Sequence, residues 1–172
     1  AEELLDALAD PSKAPAPEVI ARTNARLAAA VASGILDPRE LDLPEQLRAL
    51  SGEVVDAGTA MVLDQPCFGL VVPARRLVVG DTEHADALAT LLDLPLVSEE
   101  ISAEVLGTGV RSTWAAAPLG VILRQLWSPR DATGDLVLHE TLEVRLRGAI
   151  SGTVRVPWWC EGDVTHVQVP RI

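Results

Sequence analysis

The sequence predicts an α+β (mixed α/β) fold: a mixed, largely antiparallel sheet with helices on one face and a helical N-terminal part. Three observations predict it. Residues 76–80 (RLVVG) are a short apolar run bounded by a helix-capping aspartate, and the helical pattern that follows makes a strand–helix unit with a parallel element. Beyond residue 100 the apolar spacing is mostly two, broken by turn residues. Before residue 50 the spacing is helical and interrupted by prolines. The chain therefore divides into a helical connector or lid over 1–50 and an α/β domain over 51–172 that ends in an antiparallel meander.

Residues 2–9 place Leu4, Leu5 and Leu8 on one helical face. Three prolines between residues 10 and 17 then break any regular structure, and Pro17 suits the first turn of the next helix, where its missing N–H is harmless. That helix runs over 18–33 on Val19, Ile20, Leu27 and Val31, and Gly34 ends it. Asp37 opens a short helical turn. Residues 44–50 read as another, with Leu47 and Leu50 inward.

Residues 52–56 and 60–64 read as paired strands around an Ala57-Gly58 turn. Gln65 to Gly69 is a tight passage. Asp81 caps the helix over 81–93, with Glu83 at its positive end and Ala85, Leu88, Leu91 and Leu92 along its core face. Ile101, Ala103 and Val105 alternate with Ser102 and Glu104, a half-buried strand. Gly107-Thr108-Gly109 reads as a hairpin turn into a strand over 110–115, since no helix follows to make it a phosphate loop. A second amphipathic helix is expected over 118–127, with Trp114 and Trp127 in or at the edge of the core, and a polar loop after it.

Residues 136–146, 153–160 and 164–169 form the meander. A Glu161-Gly162 turn pairs Trp159 with Val164 and Trp158 with Thr165. Val154, Val156 and Trp158 then share a face with Val167 and Val169, whereas Trp159 shares the other with Arg155, His166 and Gln168. Trp158 is expected to be the buried one. The candidate interaction surface is Trp159, Arg155, His166 and Gln168.

The net charge of −11 disfavours nucleic acid and anionic membrane surfaces as partners. No apolar run reaches the length of a membrane span. Two well-separated cysteines, Cys67 and Cys160, are cytoplasmic usage and read as free thiols. Ala1-Glu2-Glu3 carries neither a methionine nor a signal pattern and reads as a cut within a longer chain.

Catalytic chemistry finds little support. His139-Glu140-Thr141-Leu142-Glu143 has a metal-binding outline, but that motif needs a helix to bring its ends to one face. In a strand, His139 and Glu143 share a face and Glu140 points away. Asp81, Glu83 and His84 are accounted for by helix capping. Cys67 would need a histidine and an acid beside it to act as a nucleophile. No catalytic residue, metal ligand or cofactor site is assigned.

Three segments carry a resemblance: LRALSGEVVDAGTAMVLDQPCFGLVV, RLVVGDTEHADALATLLDLPLVSEE and VRVPWWCEGDVTHV. Over roughly residues 45–170 they resemble the C-terminal region of large actinobacterial proteins whose N-terminal part is a sacsin-like, GHKL-type ATP-binding domain akin to heat-shock chaperone ATPases. The resemblance implies a non-catalytic segment whose partners are protein, either other domains of the parent chain or a client. The ATP site would lie elsewhere, because the Asn-bearing helix and DxGxG loop of that domain are absent here. The alternatives are a small enzyme using Cys67 or a histidine–carboxylate site, and a homo-oligomer formed through the open edge of the meander.

Overall fold

The computed structural model describes residues 1–113 and 135–169. The helix expected over 118–127, Trp114, Trp127 and the loop that follows lie outside the described residues. The fold is mixed α+β, with helices and mostly antiparallel sheets. It forms two compact units, Ala1–Ile101 and Ser102–Ile172. This boundary differs from the one expected between residues 50 and 51. The N-terminal helices are built into the same core as the strand–helix unit and do not form a separate lid.

In the first unit, helix α1 (Glu2–Leu8) buries Leu5 and leaves Leu4 exposed. Helix α2 (Pro17–Ala32) starts on its proline, and Gly34 just beyond its end has a φ of 78°. Its buried face is Ile20, Asn24, Leu27 and Ala28. Asn24 is polar within that stripe because its amide donates to the Val79 carbonyl at 3.0 Å. The next residue, Gly80, lies close to α2, where an added Cβ would sit 3.2 Å from the Ala25 nitrogen and 3.1 Å from Leu88.

Residues 46–48 correct the sequence reading. They form strand β1 (Gln46–Arg48), paired antiparallel with β2 (Val54–Asp56), where a helical turn was expected. Leu47, Arg48 and Ala49 are buried in succession, which one helical face does not allow and a strand enclosed on both sides does. The expected pairing of 52–56 with 60–64 is thereby replaced. Strand β3 (Met61–Val62) instead runs parallel to β4 (Leu77–Val78), the parallel element that the strand–helix unit implied. Asp81 caps as expected, accepting from the Glu83 N–H at 3.0 Å. After a 3₁₀ turn, helix α3 (Ala85–Leu92) buries Ala85, Leu88, Leu91 and Leu92 against a core shared with Leu27, Leu47 and Val62. Helix α4 (Val97–Glu100) is capped across the chain by Asp64, which accepts from Ser98. Glu99 accepts from the Leu96 N–H.

Arg48 is the polar centre of this unit. It is 7% exposed, and its guanidinium donates to four backbone carbonyls. Nε reaches Leu8 at 2.8 Å, Nη1 reaches Gly52 at 2.7 Å, and Nη2 reaches Asp10 at 2.6 Å and Lys13 at 2.9 Å. The proline-rich linker is thus tied to the strand pair by one side chain.

The second unit is built from strands among its described residues. One sheet has the order β5 (Ile101–Val105), β8 (Glu143–Gly148), β9 (Gly152–Arg155); the other has the order β10 (Trp158–Glu161), β11 (Val164–Gln168), β7 (Asp135–His139), β6 (Val110–Thr113). The second sheet is antiparallel except for β11 and β7, which run parallel. Two expectations fall here. Gly107-Thr108-Gly109 does not close a hairpin, because it carries the chain from one sheet to the other. Nor are 136–146 and 153–160 continuous strands, since the chain changes sheet at Glu140–Leu142 and again near Pro157. The last hairpin turns on Gly162-Asp163, and Glu161 faces Val164. Gly162 alone has positive φ, the pattern of a hairpin turn with glycine first. The register is displaced from the expected one by two residues, so the facial assignments survive within β10 and β11, whereas Val154 and Arg155 lie on β9 of the other sheet and share no face with them.

Candidate functional site

Strand β11 lies between β10 and β7, with Thr165, His166 and Val167 all buried. On one face, Trp159 of β10 stands opposite His166, and His166 is paired with Val137 of β7. Strand alternation puts Glu161 beside Trp159 and His139 beside Val137 on that same face. Four polar or aromatic groups from three strands therefore converge.

Trp159 is 2% exposed and Trp158 is half-buried, the reverse of the expectation. A central strand is covered on both faces, and its larger neighbour fills the side that the histidines occupy. Of the four residues expected to form an interaction surface, Trp159 and His166 are buried. Arg155 is exposed and donates to Glu143 at 3.4 Å. Gln168 is exposed, and its side-chain oxygen accepts from the Leu142 N–H at 3.1 Å. The structure does not gather the four into one exposed patch.

What it gathers instead is a linear chain of side chains. His139 Nε2 lies 2.8 Å from His166 Nδ1, and His166 Nε2 lies 3.0 Å from Glu161 Oε1. The ring centres are 5.1 Å apart and tilted by 41°. The excess of this separation over the nitrogen distance is about one ring radius at each end. The two nitrogens therefore lie on the line between the rings, as a straight N–H···N hydrogen bond requires. Two rings turned toward a common metal ion would not align their axes on each other.

The tautomers follow from the donors and acceptors. Glu161 accepts, so His166 Nε2 carries a hydrogen and, in the neutral ring, Nδ1 is a lone pair. His139 Nε2 must then donate. Burial holds His139 below the ordinary histidine pKa, and His166 adds to the effect. Burial also lowers His166, outweighing the opposing pull of the Glu161 charge and hydrogen bond. Gly109 closes one side: a Cβ there would stand 2.5 Å from both the Leu138 carbonyl and Val137 Cγ1, and 2.9 Å from His139 Cε1.

The remaining candidates do not assemble. His139 and Glu143 sit on different strands in different sheets, so the spacing of the HExxE outline brings nothing together. Asp81, Glu83 and His84 offer ligand atoms within 4.8 Å of one another, all on the capping turn that already explains them. Cys67 is 1% exposed within a 3₁₀ turn, and neither cysteine is disulfide-bonded. Among the described residues no helix is long and apolar enough to cross a membrane.

Sequence reasoning missed the histidine pair because its members are 27 residues apart and meet only through the parallel pairing of β7 and β11. The one available signal was that His166 shares a strand face with Trp159. No family model, curated protein or solved structure matches the chain.

Proposed function

We propose that this chain is a non-catalytic interaction or domain-linking module of a larger, chaperone-like ATP-binding protein. One observation carries the reading: three of the side chains best suited to chemistry are enclosed by packing. Cys67 is 1% exposed, His139 4% and His166 9%, whereas a catalytic group must meet its substrate. The resemblance over residues 45–170 supplies the parent and the class of partner, either other domains of that chain or a client protein. The reading gives the module no cofactor and places it in the cytoplasm.

Calorimetric titration with ATP tests it. This chain is expected to give no saturable heat, and a longer chain bearing the ATP-binding domain is expected to give it. Saturable binding by the chain itself overturns the reading. A second reading, self-association, is favoured by the place of β10 at the end of its sheet among the described residues. Light scattering over a concentration series separates the two, because a mass that stays at 18.3 kDa removes the dimer.

A further inference from the structure

We propose that His139, His166 and Glu161 form a one-proton latch across β7, β11 and β10, closed near neutral pH and opened when a second proton enters the ring pair. The latch does not depend on what the chain binds.

The number of hydrogens on the two rings decides whether the chain of bonds holds. With both rings neutral, His139 donates to His166, and His166 donates to Glu161. A first added proton is accommodated without breaking anything. His166 then carries hydrogens on both nitrogens, donates to Glu161 and to His139, and the central bond reverses direction. A second added proton leaves two N–H groups facing each other across 2.8 Å, and no arrangement of hydrogens satisfies that contact. The rings must separate, and Gly109 on His139 and Trp159 beside His166 leave little room for this within the closed sheet. The opening therefore falls on the pairing of β7 with β11.

Among the described residues the charged groups on this face are few. Glu161 contacts His166 directly. Asp135 at the start of β7 and Arg111 on β6 share the face but are exposed. Trp159, Val164, Gln168 and Val137 add no charge. The carboxylate favours the first proton, and among the described residues no second carboxylate contacts either ring. Desolvation opposes both, consistent with the lowered proton affinity of the two rings.

The test is nitrogen-resolved NMR of the imidazoles together with amide exchange. At about pH 7.5, where histidine is largely neutral, both rings are expected as Nε2–H tautomers, with coupling between His139 Nε2 and His166 Nδ1. An Nδ1–H tautomer in either ring overturns the latch. So does a shift of both ring nitrogens on adding zinc, which would make the pair a metal site. On acidification from about pH 6.5 to about pH 5, amide protection in β11 is expected to fall by as much as roughly tenfold per pH unit for each ring that the closed sheet keeps neutral. His139→Gln keeps a donor to His166 but removes one titrating ring and cannot take the second proton, and should lose much less protection. Equal losses in both proteins overturn the proposal. If His139→Gln fails to fold, Glu161→Gln decides: it keeps the hydrogen bond without the charge, so the acid loss should begin at higher pH and run deeper. Wild-type behaviour in that variant also overturns the latch.

Discussion

Arg48 and the His139–His166 pair solve the same problem in opposite ways. Each is a polar group enclosed within its own unit, and each must be satisfied there because an unmet donor is costly. Arg48 is permanently charged and meets four backbone carbonyls. Its cage has no protonation state to lose. The histidines meet each other and Glu161, and their geometry depends on how many protons they share. A main-chain cage is stable to pH and indifferent to the identity of the residues that line it. A side-chain chain is sensitive to both.

The largest effect is expected from removing the cage. Arg48→Ala leaves the carbonyls of Leu8, Asp10, Lys13 and Gly52 without their donor and should cost about 3 kcal/mol in denaturant unfolding. Limited proteolysis should then cut first between residues 9 and 16. Arg48→Lys should recover only part of this, since an ammonium cannot reproduce the fork. Gly109→Ala tests the other side. Its Cβ meets the Leu138 carbonyl at 2.5 Å, and backbone cannot yield as a side-chain tip can. A loss of about 1–3 kcal/mol is expected, with amide exchange rising in β6 and β7.

A pH series sharpens the contrast without mutation. The histidine pair is held below its ordinary value of 6.5, so the unfolded chain binds more protons just beneath that pH. The second unit is thus fully stable above about 6.5 and loses stability as pH falls toward the lowered values. In the first unit the shifted carboxylates are Asp10 and Asp37. The Ser12 hydrogen bonds lower Asp10, and the Arg39 hydrogen bonds lower Asp37, from 3.8. Their contribution is present above 3.8 and lost only as pH falls through the lowered values. Exchange followed residue by residue should show the second unit loosening first. The same onset in both units would remove the distinction. The smallest effect is expected from Asp81→Ala, which removes a helix cap outside both networks. It should cost about 1 kcal/mol and leave the pH response of each unit unchanged.

The two regions also differ in how much of them can be read from sequence. The capped helix is legible because its information is local: Asp81 is two residues from the N–H it accepts, and the leucines of α3 repeat at helical spacing. The parallel element beside it followed from the same short stretch. Strand β1 was not legible, because the arginine at its end is buried by carbonyls at positions 8, 10, 13 and 52, which any residue would provide. In the second unit, alternation correctly sorted the residues of β10 and β11 onto two faces, though Arg155 lies in the other sheet. It could not tell which face was enclosed, so Trp158 and Trp159 exchanged roles. That depends on β11 entering the middle of its sheet, a long-range fact without a local mark. The Gly107-Thr108-Gly109 passage has the composition of a hairpin turn, and what its last glycine serves is close approach to the His139 ring.

The position of β11 has a consequence for the order in which the protein is made. The strand that sits between β10 and β7 is the last of the described strands to leave the ribosome. Until residue 168 emerges, β7 presents one bare edge and β10 has nothing to pair with. The sheet therefore closes only once β11 has emerged, rather than growing strand by strand. For that interval the nascent chain carries an open, apolar edge that other chains can add to, and a holdase acting at the ribosome exit would shorten its exposure.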